Sequence, residues 1–256
     1  MDNKPIYLDT AATTLIDPRV KKAMLPYFDE LFGNASSNHY YGKKAKLAIT
    51  VAREHAAKII NATPKEIFFT SGATEAINWA LKGFIERNPA KGNHIITVKT
   101  EHKAVLNTCE YLENKGIEVT YLDVNENGLI SLDELKAAIK ANTAMIAIMY
   151  VNNEIGVIQD IKAIGEIAHE NDICFFCDAT QAIGKVHLDV NTDLIDMLCF
   201  SAHKFNGPKG IGVLYKKSGV KLECLMHGGS QENGERGGTS NTPGIVGLGE
   251  ACRIAQ

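Results

Sequence analysis

Long apolar runs are missing from this 256-residue chain. None approaches the ~18 residues that a membrane-crossing helix needs, so no membrane partner is expected. The opening Met1-Asp2-Asn3-Lys4-Pro5 has no apolar core and is not a secretory signal. Neither sign of charge is in excess: 27 Lys and Arg stand against 30 Asp and Glu, for a net charge of −3. A nucleic-acid surface asks for a basic excess or stripe, so no nucleic-acid partner is expected either. Repeats, low-complexity tracts and linker-like stretches are absent. A cytoplasmic location follows as the default.

Oxidised cysteine is not expected. The six cysteines are irregularly spaced and come without a secretory signal, so they read as reduced thiols. Cys174 and Cys177 form a C-x-x-C, but inside the apolar run Ile173–Asp178. On a strand, residues three apart point to opposite faces, which argues against a redox or metal pair. No metal site is expected.

What is present is a globular composition, 45% hydrophobic and 22% charged, on a chain long enough for a sizeable core. Short runs rich in Val, Ile, Phe and Met predict strands at 67–70, 94–98, 118–122, 145–150, 173–178, 196–201 and 210–215. Their weak alternation suits strands covered on both faces. Helical patterns fall at 19–31, 42–60, 74–88, 103–114, 132–141, 161–171 and 243–256. Asp17-Pro18 opens the first of these, and Ser131-x-x-Glu134 is a capping box before the fifth. This alternation predicts an α/β fold: a mostly parallel seven-stranded sheet with helices on both faces.

Ligands of such sheets bind beyond the carboxyl ends of the strands, so the residues there are the candidates. Thr70-Ser71-Gly72-Ala73-Thr74-Glu75 is a small turn opening a helix, with backbone N–H groups suited to a phosphate. Alone, it reads first as an ordinary capped strand-to-helix turn. Thr100-Glu101-His102-Lys103 and Val151-Asn152-Asn153-Glu154 follow two further strands. Asp178 ends a buried apolar strand, where a charge requires a partner. Ser201-Ala202-His203-Lys204 follows the sixth strand. An amine shielded there has a lowered pKa and suits Schiff-base chemistry. A phosphate turn, a His to stack on a ring, an Asp for a ring nitrogen and a Schiff-base Lys are together the parts that hold pyridoxal 5'-phosphate.

With these motifs the chain resembles cysteine desulfurases of the class V aminotransferase family, in the branch serving iron–sulfur assembly. The matching segments run from Tyr7-Leu8-Asp9-x-Ala11-x-Thr13-Thr14 and Gly33-Asn34-x-Ser36-Ser37 through those above. They continue with Gly207-Pro208-Lys209-Gly210 and His227-Gly228-Gly229-x-Gln231-Glu232 to Arg236-x-Gly238-Thr239. The resemblance implies the large domain of a fold-type-I pyridoxal-phosphate transferase, like aspartate aminotransferase. It implies Lys204 as the Schiff-base lysine, His102 stacked on the ring and moving protons, and Asp178 on the ring nitrogen. Gln181 would contact the ring hydroxyl. Ala73, Thr74, Ser201 and His203 would bind the phosphate, and Asn153 the cofactor or substrate. Thr239 would reach the phosphate of a second subunit, which implies a homodimer. L-cysteine as substrate and an iron–sulfur scaffold or other sulfur acceptor as partner follow from the same resemblance.

Two departures stand out. Ala35 occupies a position where the family usually has Pro. The family also continues into a C-terminal small domain carrying the cysteine nucleophile and a carboxylate-binding arginine. The expectation is therefore an N-terminal segment at 1–15 associated with that domain, a cofactor-binding large domain at 16–256, and no small domain. Such a chain is expected to be inactive alone. Two alternatives stay open: another cofactor-dependent relative, such as a selenocysteine lyase or an aminotransferase, and a non-catalytic remnant that dimerises or binds a scaffold.

Overall fold

Among the residues described by the computed structural model, 5–256, the chain alternates helix and strand as the apolar pattern predicts. Residues 1–4, where the expected 1–15 segment begins, lie outside the described residues. The elements are α1 (Pro18–Met24), α2 (Tyr40–Lys58), β1 (Ile67–Thr70), α3 (Ala73–Arg87), β2 (His94–Val98), α4 (Lys103–Glu113) and β3 (Glu118–Leu122). They continue as α5 (Leu132–Ala138), β4 (Thr143–Ala147), α6 (Ile161–Glu170), β5 (Cys174–Asp178), β6 (Met197–Ser201), β7 (Gly212–Lys216) and α7 (Thr242–Ala255). No helix among the described residues is long and apolar enough to cross a membrane.

The seven strands form one sheet in the order β1-β7-β6-β5-β4-β2-β3. Only β7 runs against its neighbours, β1 and β6; the remaining pairs are parallel. Strand side chains divide between two cores. Phe68, Ile95, Met145, Cys174, Phe176 and Leu214 pack with α3 and α4. Ile67, Phe69, Ile96, Ile146, Phe175, Cys177 and Phe200 pack on the opposite face with α2, α6 and α7. Cys174 and Cys177 thus lie on opposite sides of the sheet, as the strand period demands.

Several boundaries differ from the sequence expectation. The first helix stops at Met24 and tightens into a 3₁₀ turn at Leu25–Tyr27. Pro26 lacks the N–H that would continue the α-helical ladder. The fifth helix ends at Ala138 because Ile139 turns to extended backbone. The strand expected at 145–150 instead spans Thr143–Ala147, paired with β2 as far as Ile146 and with β5 as far as Ala147. On the β5 side the ladder does continue: Ile148 and Tyr150 donate to the carbonyls of Phe176 and Asp178. On the other side β2 has already ended, and the N–H of Met149 instead donates to the Glu101 carboxylate at 2.5 Å.

Close backbone packing aligns the strand ends. Thr70, Ser201 and Gly212 lie side by side across β1, β7 and β6. A Cβ on Gly212 would come within 2.7 Å of both the Gly72 Cα and the Phe200 carbonyl oxygen. Gly72 itself has φ +157° and ψ 177°, a region that side chains disfavour. The Gly-rich segment after β7 is fastened to this edge by Glu232. Its carboxylate takes two hydrogen bonds from Arg53, at 2.7 and 2.8 Å, and one from the Phe69 N–H at 2.9 Å. Arg236 pairs with Glu75 of α3 at 2.8 Å. Gly212→Ala is expected to destabilise the chain by ~1–3 kcal/mol, the usual cost of overpacking. Chemical denaturation measures it, and an unchanged midpoint would show that the Gly72 turn yields without strain.

Candidate active site

The carboxyl ends of β1, β2, β4, β5 and β6 open on one cavity of about 510 Å³, within the ~300–1,000 Å³ usual for small-molecule sites. The structure brings Ala73, Thr74, His102, Asn153, Asp178, Gln181, Ser201, His203 and Lys204 to its wall. Thr239 is elsewhere. It lines a separate cavity of about 220 Å³ with Glu232 and Arg236, although Ser71 and Gly210 border both.

One end of the cavity is rich in donors. No side chain caps α3, so the N–H groups of Ala73 and Thr74 are left for a ligand, and they carry the positive end of a 15-residue helix. The Ser201 hydroxyl lies beside Gly72 at this end, and His203 and Lys209 line the same cavity. The Ser201 hydroxyl donates its proton to the Ile211 carbonyl at 3.4 Å, which leaves its lone pairs free. His203 Nδ1 pairs with the Thr13 hydroxyl at 3.1 Å. Burial, helped by the charges of Lys204 and Lys209, lowers the His203 pKa and favours the neutral ring. The nearby Glu75 carboxylate is turned outward to Arg236 and to the Ser71 N–H.

The other end is a carboxylate. Asp178 is 5% exposed at the last position of β5. Its Oδ1 accepts the Thr180 N–H at 2.9 Å and the Cys199 thiol at 3.5 Å, so both protein donors hold one oxygen from below. No protein donor engages Oδ2 among the described residues. A shielded carboxylate held this way favours a cationic partner above it.

In the sheet, β6, which carries Lys204, lies between β1, which opens α3, and β5, which ends in Asp178. The 3₁₀ turn Ala202–Lys204 after β6 carries it to the wall. Its Nζ donates to the carbonyls of Ala11 and Ala12 at 2.7 and 2.9 Å. Partial burial lowers its pKa, while the charges of Asp178 and Asp9 oppose the shift. His102 is the N-cap of α4, and its Nδ1 accepts the Ala104 N–H at 3.0 Å. The neutral ring therefore carries its proton on Nε2. Gln181 donates to the Ala11 carbonyl at 2.7 Å and accepts from Lys185 at 2.6 Å. Asn153 hydrogen-bonds the neighbouring Glu154 side chain at 2.7 Å.

Sequence reasoning assigned no role to the segment at 11–14, which supplies carbonyls to Lys204 and Gln181 and hydroxyls to His203 and Asn206. The motif Ala11-x-Thr13-Thr14 was visible, but its contacts are almost 190 residues away in sequence. Glu101 also went unassigned. It is buried, and burial together with the Asp178 charge pushes its pKa well above the usual carboxylate range. It lies three residues past the end of the apolar strand β2, and no local pattern marks it as buried. Lys209 was quoted only as part of a turn.

A donor-rich helix start, a shielded carboxylate and an amine of lowered pKa on one cavity are the donor set of pyridoxal phosphate. They answer its phosphate, its protonated ring nitrogen and its aldehyde in turn. The residues present fit that group.

Comparison with known proteins gives the same answer. The Aminotransferase class-V family matches residues 6–256. A protein named cysteine desulfurase IscS from Neisseria meningitidis serogroup C is 58% identical over 255 residues, covering 98% of this chain and 63% of its own length. Its namesake from Clostridium botulinum is 53% identical over 253 residues, covering 99% of this chain and 64% of its own. The chain thus spans under two thirds of these relatives. Among solved structures, a NifS-like protein superposes with TM-score 0.96 at 43% identity, covering 98% of this chain and 70% of that one. SspA in complex with cysteine does so with TM-score 0.95 at 47% identity, covering 97% and 72%. Class V aminotransferases are pyridoxal-phosphate proteins, and this chain belongs to that family.

Proposed function

We propose that the chain is the cofactor-binding part of a cysteine desulfurase. Such an enzyme moves the sulfur of L-cysteine onto an enzyme thiol as a persulfide and leaves L-alanine. The sulfur then passes to an iron–sulfur scaffold or another acceptor in the cytoplasm. The observation that carries this reading is that the open α3 start, Lys204 and Asp178 line one cavity, delivered by β1, β6 and β5 of one sheet. The similarity to desulfurases and to a cysteine-bound relative supports the choice of substrate.

Pyridoxal phosphate, when bound, supplies an aldehyde for amines and a protonated ring that withdraws electrons from the substrate. The chain's residues do the rest. The Ala73 and Thr74 N–H groups, with Ser201 and His203, bind the phosphate. Asp178 Oδ2 holds a proton on the ring nitrogen, because separating that ion pair inside a shielded site is costly. Gln181 contacts the ring hydroxyl, and Asn153 orients the substrate side. His102 stacks on the ring and presents Nε2 for proton transfer. Lys204 would release the Ala11 and Ala12 carbonyls to offer its amine to the aldehyde and to take up a proton; its lowered pKa leaves more of that amine unprotonated. Thr239, held at the edge by the Glu232 and Arg236 anchors, serves a second copy of the chain in a homodimer.

The thiols of this chain are poorly placed for the sulfur step. Cys109, Cys174, Cys177, Cys199 and Cys252 are buried, and Cys224 lines a different cavity, beside Tyr111 and Lys82. Burial pushes the Cys109 thiol up to about 12 and raises Cys174, Cys177, Cys199 and Cys252 as well. A buried thiol of raised pKa is a weak nucleophile.

Two outcomes are expected. Asp178→Asn should still bind pyridoxal phosphate but exchange the Cα proton of L-cysteine or L-alanine ~100-fold more slowly in D₂O, the scale of lost acid–base assistance. Exchange at the unaltered rate would make Asp178 merely structural. In a sulfide and alanine assay, the 256-residue chain should release no more sulfide than free cofactor does. Turnover that disappears in Lys204→Ala would show that one of these six cysteines, or an added thiol, takes the sulfur.

A further inference from the structure

Glu101 is a carboxyl group sealed inside the molecule. It is 6% exposed. Oε1 accepts a single hydrogen bond, from the Met149 N–H at 2.5 Å. Oε2 is buried with no protein partner. No basic side chain is hydrogen-bonded to it among the described residues. The titratable groups facing it are Asp178 and Cys177 from β5 and Cys109 from α4. None of these supplies a positive charge. An ionised carboxylate beside a second carboxylate, with one donor, would be doubly costly.

Its bond also has a structural meaning. The N–H groups of Ile148 and Tyr150 go to β5, so that of Met149 points to the β2 side, where the strand has ended. The Glu101 side chain supplies the acceptor that a longer β2 would have provided. The same connection is tied a second time, by the Asn152 side-chain amide donating to the Thr100 carbonyl at 2.9 Å. His102 is the next residue, and its ring lines the cavity.

We propose that Glu101 is a positioning residue: as a neutral carboxyl group it joins the end of β2 to Met149, holds His102 in place over the cavity and adds no charge beside Asp178. Its raised pKa, caused by burial and then by the Asp178 charge, agrees with that state. The role for His102 rests on the cofactor reading above; the protonation state does not.

The test uses the cofactor-free chain, with Glu101→Gln and Glu101→Ala. Gln keeps the acceptor for Met149 and mimics a neutral acid; Ala removes the acceptor. At neutral pH the wild type should show the infrared C=O stretch of a buried carboxylic acid that Glu101→Gln lacks. The His102 ring resonances should stay in place in Glu101→Gln and move in Glu101→Ala. The sign of the pH effect is fixed too. Neutral in the fold and ionised when unfolded, Glu101 costs stability as pH rises above the ordinary glutamate value. The Tm of Glu101→Gln relative to wild type should therefore climb between about pH 5 and about pH 8. With pyridoxal phosphate added, Glu101→Gln should bind within about twofold of wild type and Glu101→Ala about tenfold more weakly, the scale of orphaning one buried N–H. No acid band, or a Gln variant that disturbs His102 as much as Ala does, would overturn the proposal. A wild-type chain that fails to bind pyridoxal phosphate would instead overturn the cofactor reading, and the infrared band would still decide the state of Glu101.

Discussion

A carboxylate at the end of a buried strand has to be answered by something, and Asp178 is answered on one oxygen only. The Thr180 N–H and the Cys199 thiol hold Oδ1, while the cavity lies above. Cys199 can reach it because Asp178 and Cys199 are paired positions of β5 and β6. The charge is thus positioned by sheet register, the least adjustable feature of the fold. A cation directly above it would complete the arrangement, and in the proposed function the ring nitrogen of pyridoxal phosphate would supply one.

The remaining parts reach the same cavity because the parallel strands end at one edge. β6 delivers Ser201, His203 and Lys204 in a single turn, and β1 delivers the open start of α3. Contact between Gly212 and Gly72 sets how close these two deliveries come. The segment at 11–14 crosses the site from outside and occupies the Lys204 amine with two carbonyls. Those bonds keep the amine solvated by protein, so that its lowered pKa is not accompanied by an unpaired buried charge.

Much of this was legible in the sequence because it is local. A strand followed by a small turn and a helix is written in four or five consecutive residues, and so are Asp178 after Phe176-Cys177 and Lys204 after Phe200-Ser201. The order of those motifs sufficed to name the cofactor before any coordinates. What escaped is non-local. Nothing near Ala11 signals that its carbonyl meets Lys204, and nothing near Glu101 signals that its acceptor serves Met149. The over-long fourth strand has the same origin. Apolar pattern reports burial, and Ile148–Tyr150 are shielded and bonded to β5, yet their second-side partner is a side chain rather than a strand. The first helix ran long because its apolar spacing continued past a proline whose missing N–H the pattern does not weigh.

The proposed function requires that one lysine, Lys204 in the turn after β6, take the cofactor. Incubation with pyridoxal phosphate, reduction with borohydride and peptide mass spectrometry test it directly. The account predicts a reduced pyridoxyl group on Lys204 at near-stoichiometric yield, and its loss in Lys204→Ala. Labelling spread over surface lysines, or unchanged in Lys204→Ala, would contradict it.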